Sequence, residues 1–205
     1  MKSSAENSVS LSVARICSLL LLLLGGGVFL GWVVESIPMV AVVPGFAPMQ
    51  PNSALGFILC GAALLAGISG REKWTALLGG LVGVLGLATY FEHSLGWDLH
   101  IDQLLIKPFY TERSVFPGRM PALSAICFFL IGIALVLKTR TSRQKEWRVL
   151  LAVCTCVVMG LATTALFAYG VDVEALQGWR RQIGQMALHT SVGFLLLSTG
   201  LFALS

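Results

Sequence analysis

The sequence predicts an all-α, polytopic membrane protein, with six transmembrane helices arranged as three repeated helix pairs and both termini cytoplasmic. Three observations predict it. Of 205 residues, 56% are hydrophobic and 12% charged, where a soluble domain carries about 25% charged residues. Long, nearly charge-free runs approach the length needed to span a bilayer. One sequence frame recurs at three points along the chain.

The apolar runs are 16–34, 52–69, 74–91, 121–137, 149–169 and 187–204. The first follows Lys2 and Arg15, as the core of a signal peptide would, but its apolar stretch is too long. "VVESIPMV" follows it in place of a small-x-small cleavage site, so it reads as an uncleaved anchor. Orientation comes from the basic residues. The N-terminal segment, "REK" (71–73) and "KTRTSRQKEWR" (138–148) carry a net +6, and the other three loops −2. The basic segments therefore face the cytoplasm, with anionic lipid headgroups as their partners. Nothing in the sequence suggests nucleic acid.

All five cysteines (Cys17, Cys60, Cys127, Cys154, Cys156) fall within predicted helices, away from any loop where an oxidising compartment could pair them. Cys154 and Cys156 point in nearly opposite directions on a helix, which suits neither a redox pair nor a metal clamp. All five read as small packing residues.

The repeat is clearest in the returning helix of each pair. "MQPNSALGFILCGAALL", "MPALSAICFFLIGIALVL" and "MALHTSVGFLLLSTGLFAL" align without gaps. Met49, Met120 and Met186 coincide, as do Ser53, Ser124 and Thr190, then Phe57, Phe128 and Phe194. The outgoing helices "GLATYFEHSLGWD" and "GLATTALFAYGVD" share GLAT, with Gly86 on Gly160 and Asp98 on Asp172, while the first helix fits this half poorly. The repeats run over about 16–70, 74–138 and 148–205 of a single integral-membrane domain. Met, Ser/Thr and Phe at i, i+4 and i+8 lie along one helix stripe. The hydroxyl sits in the first turn, where it can cap backbone N–H groups or cross-link helices. Gly79 and Gly83 form a close-packing GxxxG. Three equivalent returning helices meeting at a pseudo-threefold axis would place their Met–Ser/Thr starts together at the outer surface.

Candidate functional residues gather on that rim. The second loop supplies Glu92, His93, Trp97, Asp98, His100 and Asp102; the third supplies Asp172, Glu174, Arg180 and Arg181. His189 occupies the place held by Asn52 and Leu123 in the other repeats. One reading is a metal or haem site drawn from His93, His100, His189, Met49, Met120 and Met186, because thioether and imidazole suit copper and imidazole suits zinc or haem. The spacing contains no HxxxH or HExxH. A second is a small organic or lipid-like ligand held by Asn52, Ser53, Ser124, His189, Thr190 and the loop acids, between aromatic walls that include Trp32, Phe46, Phe109, Tyr110, Phe116 and Trp179. The third is an interfacial aromatic belt with packing methionines. Asp98 and Asp172, each following a glycine closely, read as turn or cap residues.

No hydrolase, phosphate-loop or Ser/His/Asp signature is present, so the segment is not expected to be an enzyme. Ionisable residues lie only at span ends, as Glu35 and Glu92 do, which argues against an ion or proton path.

"PMQPNSALGFILCGAALL", "LGWDLHIDQLL", "FPGRMPALSAICFFLIGIALVL" and "MALHTSVGFLLLSTGLFAL" resemble the N-terminal membrane-associated sensor (MASE-like) modules of bacterial sensor histidine kinases and diguanylate cyclases. MHYT domains are a looser likeness; "MALHT" has two residues between Met and His, and the other repeats lack histidine, so only architecture carries over. The resemblance implies a sensory input module of the bacterial inner membrane, fused to a cytoplasmic PAS, kinase or GGDEF output domain beyond residue 205 and acting as a homodimer. A ligand-free scaffold, a small transporter or a membrane-embedded enzyme are the alternatives.

Overall fold

The computed structural model describes residues 4–42, 46–111, 116–140, 145–170 and 186–205. The described chain is helical and contains no strand. Its helices are α1 (Ser4–Val33), α2 (Ile37–Val40), α3 (Pro51–Ile68), α4 (Glu72–Leu95), α5 (Ala122–Lys138), α6 (Lys145–Gly170) and α7 (Leu188–Leu204). Each apolar run is helical, and the bounds differ mainly at the ends. Helix α1 begins twelve residues before its apolar run because "SAENSVSLSVAR" continues the helix. The four-residue α2, with proline in its first turn, has no counterpart among the expected elements. Gly70, at φ +68°, permits the tight reversal between α3 and α4, and Gly96, at φ +66°, ends α4.

Four helices, α1, α3, α4 and α6, are long and apolar enough to cross a membrane. Helices α5 and α7 have 17 residues each, a rise of about 26 Å against a hydrocarbon layer of about 30 Å. The expectation of six spans is therefore met by length in four helices.

The six long helices close into a ring in the order α1, α3, α4, α5, α6, α7 and back to α1. Helices α3, α5 and α7 also touch one another, so they are central and α1, α4 and α6 peripheral. Phe57, Phe128 and Phe194 meet where the central helices converge. Their ring centroids are 5.0, 5.0 and 4.7 Å apart, with interplanar angles of 60°, 60° and 59°. All three are fully buried. The glycines preceding Phe57 and Phe194 each receive a neighbour's ring. A Cβ at Gly56 would lie 2.7 Å from the Phe128 ring, and one at Gly193 2.6 Å from the Phe57 ring. Cys127 holds the third such place and is buried.

Small residues also set how the peripheral helices sit. A Cβ at Gly25 would lie 2.6 Å from the Ala54 carbonyl oxygen, and one at Gly86 2.5 Å from that of Ala125. Ala54 and Ala125 are equivalent in the repeat, so Gly25 and Gly86 are equivalent too. The same register sets Ala14 on Thr75, Ser18 on Gly79 and Leu21 on Val82, all buried. In α6 the matching buried residues are Leu151, Thr155, Val158 and Ala162. The first helix thus fits the repeat well. Gly86 corresponds to Ala162, two residues beyond the Gly160 that the shared GLAT suggested. A Cβ at Gly160 would meet nothing within 4 Å, whereas one at Gly86 would run into backbone. The GLAT identity is a coincidence of apolar sequence, because helix contacts fix the register and letter matches do not.

Lining the outside are Leu19, Leu20, Leu23 and Leu30 of α1, Leu77, Leu81, Val84 and Phe91 of α4, and Val153, Val157 and Phe167 of α6, all exposed. Cys156 is exposed among them, while the other four cysteines are buried and unpaired. Cys156 is therefore not an internal packing residue as expected.

Gly132→Val is expected to disrupt the bundle, because even a Cβ would fall 2.4 Å from the Gly83 Cα. Gly160→Ala should be tolerated. Thermal unfolding in detergent should show a loss of about 1–3 kcal/mol for the first and little change for the second.

Candidate functional site at the methionine end

Each central helix begins two residues after a repeated methionine, and Met49, Met120 and Met186 are 1%, 0% and 3% exposed. The carbonyl of each lies outside the helix, and a buried carbonyl needs a donor. The donor comes each time from the last turns of the preceding peripheral helix. Trp32 Nε1–H donates to the Met49 carbonyl at 2.8 Å. His93 Nε2 lies 2.9 Å from the Met120 carbonyl, which requires the tautomer protonated at Nε2. Tyr169 O–H donates to the Met186 carbonyl at 2.6 Å. Trp32, His93 and Tyr169 each stand seven residues after Gly25, Gly86 and Ala162, so they occupy one repeat position.

A loop phenylalanine covers each of these rings. Phe109 meets Trp32 edge-on at 5.2 Å, Phe116 meets His93 edge-on at 6.0 Å, and Phe46 stacks on Tyr169 at 4.9 Å. Trp32, Phe46, Phe109 and Phe116 were expected as walls of a ligand pocket or as a belt, and each packs against another ring. Trp97 is exposed, and Trp179 lies outside the described residues.

The second loop adds polar structure that has no counterpart in the other repeats among the described residues. Glu92, in the last turn of α4, is 1% exposed. Its Oε1 accepts the Leu99 N–H at 2.8 Å, drawing the loop back onto the helix end. Arg119 Nε donates to Asp102 Oδ2 at 2.6 Å and lies 3.6 Å from Glu92 Oε2. The Arg119 guanidinium also sits 4.6 Å from the centre of the Phe116 ring, a cation–π distance. Gly118, at φ +86°, allows this turn, since a Cβ there would lie 2.5 Å from the Asp102 carbonyl oxygen. Asp98 Oδ1 accepts the His100 N–H at 2.9 Å, and His100 adopts φ 58°. Asp98 therefore is a turn residue, as expected, and Asp172 lies outside the described residues, as do Glu174, Arg180 and Arg181. Asn52 Nδ2 donates to the Ile101 carbonyl at 3.3 Å, so the loop rests on the start of α3.

Ser53, Ser124 and Thr190 are buried at equivalent places. None of the three helices has a side-chain cap, and the hydroxyls of Ser53 and Ser124 have no hydrogen-bond partner. The expected capping role is therefore not realised, because these residues lie at the third helical position. His189 is 6% exposed, rests against the backbone of Val40 and leaves Nε2 without a hydrogen bond.

The six residues expected to hold a metal or haem do different things here. His93 is bound to a carbonyl, His100 is exposed with its side chain beside Asp98, and His189 is buried in α7. Among the described residues, the group of at least three histidine, cysteine or carboxylate ligand atoms that comes together is Glu92, Asp98 and Asp102, lying within 4.8 Å of one another, with no histidine among them. Sequence reasoning placed Trp32 in a pocket wall and Asp102 among the loop acids, and did not single out Tyr169 or Arg119. The signal for Trp32 and Tyr169 was a ring seven residues beyond a small residue; for Arg119 it was a lone base directly before a repeat methionine.

Tyr169→Phe keeps the ring against Phe46 but orphans the Met186 carbonyl, an expected loss of about 1–3 kcal/mol. Arg119→Met strands two buried carboxylates side by side, and the expected loss is larger, about 3–5 kcal/mol. Detergent unfolding midpoints of the two variants check both the losses and their order. Comparison of the chain with family models, with curated proteins and with solved structures finds no match.

Proposed function

We propose that this chain is the membrane-embedded input module of a bacterial signalling protein, which receives a ligand or membrane-associated cue at the methionine end and relays it through α7 to a cytoplasmic output domain. In this reading all six long helices cross the inner membrane. The two 17-residue helices do so with their ends set slightly inside the hydrocarbon boundary, at the modest cost of local thinning. The basic segments at 71–73 and 138–148 lie in the cytoplasm, and the loops bearing Glu35, Asp98 and Asp102 lie outside.

The observation that carries the reading is the linkage at the methionine end. The Glu92–Arg119–Asp102 contacts tie the loop to α4, and Asn52 ties the same loop to central helix α3. A change in the loop thus bears directly on a peripheral and a central helix together. Transport is disfavoured because the bundle centre is filled by three fully buried phenylalanines. The module would act as a homodimer, with lipid around its exposed apolar faces.

Alkaline phosphatase fused after residue 104 should be active, and fused after residue 140 inactive; the reverse pattern removes the outside placement of the rim. For the relay, the gene is read downstream of codon 205 and the output of the full-length protein is assayed. An open frame into a kinase, PAS or GGDEF domain, with output altered at least severalfold by Asn52→Ala or His189→Ala, supports the proposal. A stop codon, or output indifferent to both substitutions, overturns it.

A further inference from the structure

We propose that Glu92, Asp98 and Asp102 form a binding site for one hard divalent cation, calcium or magnesium. The three carboxylates offer oxygen atoms within 4.8 Å of one another. Oxygens bound on opposite sides of a calcium ion at about 2.3–2.6 Å stand close to that far apart. An all-oxygen donor set suits hard cations better than the softer metals that imidazole and thioether would have favoured.

Each carboxylate is already oriented by a donor on one oxygen. Leu99 N–H holds Glu92 Oε1, His100 N–H holds Asp98 Oδ1, and Arg119 Nε holds Asp102 Oδ2. Such outer contacts aim metal ligands and fix their geometry. The opposite oxygens of the two buried members accept no hydrogen bond, and the nearest cation to Glu92 Oε2 is Arg119 Nε at 3.6 Å. Glu92 Oε2 and Asp102 Oδ1 have no hydrogen-bond partner, and the Glu92 side chain is wholly buried. Buried, unsatisfied acceptors are rare and costly. Two of them side by side, in a group of three carboxylates, point to a cation as their partner.

Charge gives the same answer. Fully ionised, the three carboxylates and the Arg119 guanidinium sum to −2, which one divalent cation neutralises. Arg119 keeps its bond to Asp102 Oδ2, leaving Asp102 Oδ1 and the Glu92 carboxylate to face the ion. Asp98, with its side chain 65% exposed, forms the mouth through which the ion enters and to which water ligands attach. The bound ion would join the end of α4 to the loop at residues 98–102, whose Ile101 carbonyl rests on Asn52.

The site is independent of the signalling reading, because binding is measured on this chain alone. The purified chain in detergent is titrated calorimetrically with calcium and magnesium chloride at neutral pH, with sodium chloride at matched ionic strength as the control. One ion per chain is expected, with a dissociation constant of about 10⁻⁵–10⁻³ M. Asp98→Asn, at an exposed position, should fold normally in EDTA and bind at least tenfold more weakly. Glu35→Gln, on a different loop, should bind as the parent does. No saturable binding up to about 10 mM, beyond the upper end of such sites, overturns the proposal, as does undiminished binding in Asp98→Asn. Stability that responds to pH but not to either cation would show a proton shared between Glu92 and Asp102, and that also overturns it.

Discussion

A backbone carbonyl just outside a buried helix start must find a donor, and this bundle has to solve that problem three times at one end. Met49, Met120 and Met186 are all buried there, so water cannot serve their carbonyls. The preceding helix supplies an indole, an imidazole or a phenol from one repeat position. Three chemically different donors serve one role because only an N–H or O–H at the right reach is needed. The bond fixes where each peripheral helix ends against its central partner. The loop phenylalanines that cover the rings then fix where the connections lie.

Below that level the bundle depends on close approach. In lipid, apolar side chains gain little by leaving their surroundings for one another, so packing contacts must do most of the joining. Glycine, alanine and serine at the helix crossings bring backbones together, as Gly83 and Gly132 do. The phenylalanine triad fills the space that remains at the axis, and each aromatic pair adds about 0.5–1.5 kcal/mol beyond its buried area.

What repeats is structural, and what breaks the repeat carries the polar chemistry. Glu92 occupies the place of Gly31 and Ala168, and His189 that of Asn52 and Leu123. Among the three pairs, the second alone has a carboxylate at this position of its peripheral helix, and it is buried. Among the described residues, the salt-bridged loop therefore belongs to one sector of a nearly symmetric bundle.

Hydropathy alone determined the helices, since each apolar run is helical to within a few residues of its expected bounds, apart from the N-terminal extension of α1. The methionine, serine and phenylalanine frame determined that three central helices are equivalent, because gapless helical spacing forces equivalent faces. Letter identity sets the match between α4 and α6 two residues off, because apolar letters recur by chance and only helix contacts set the true register. The rim histidines and methionines look like a ligand set in sequence, yet most have packing or backbone roles. Which polar groups meet depended on how residues 98–102 and 116–121 fold back over the helix ends. Asp102 and Arg119 are seventeen residues apart in sequence and 2.6 Å apart in space. That distance comes from Gly118 and its positive φ, from the Leu99 bond to Glu92 and from Asn52 beneath Ile101. Helix periodicity carries no information about such contacts; only the packing of the loop on the bundle decides them.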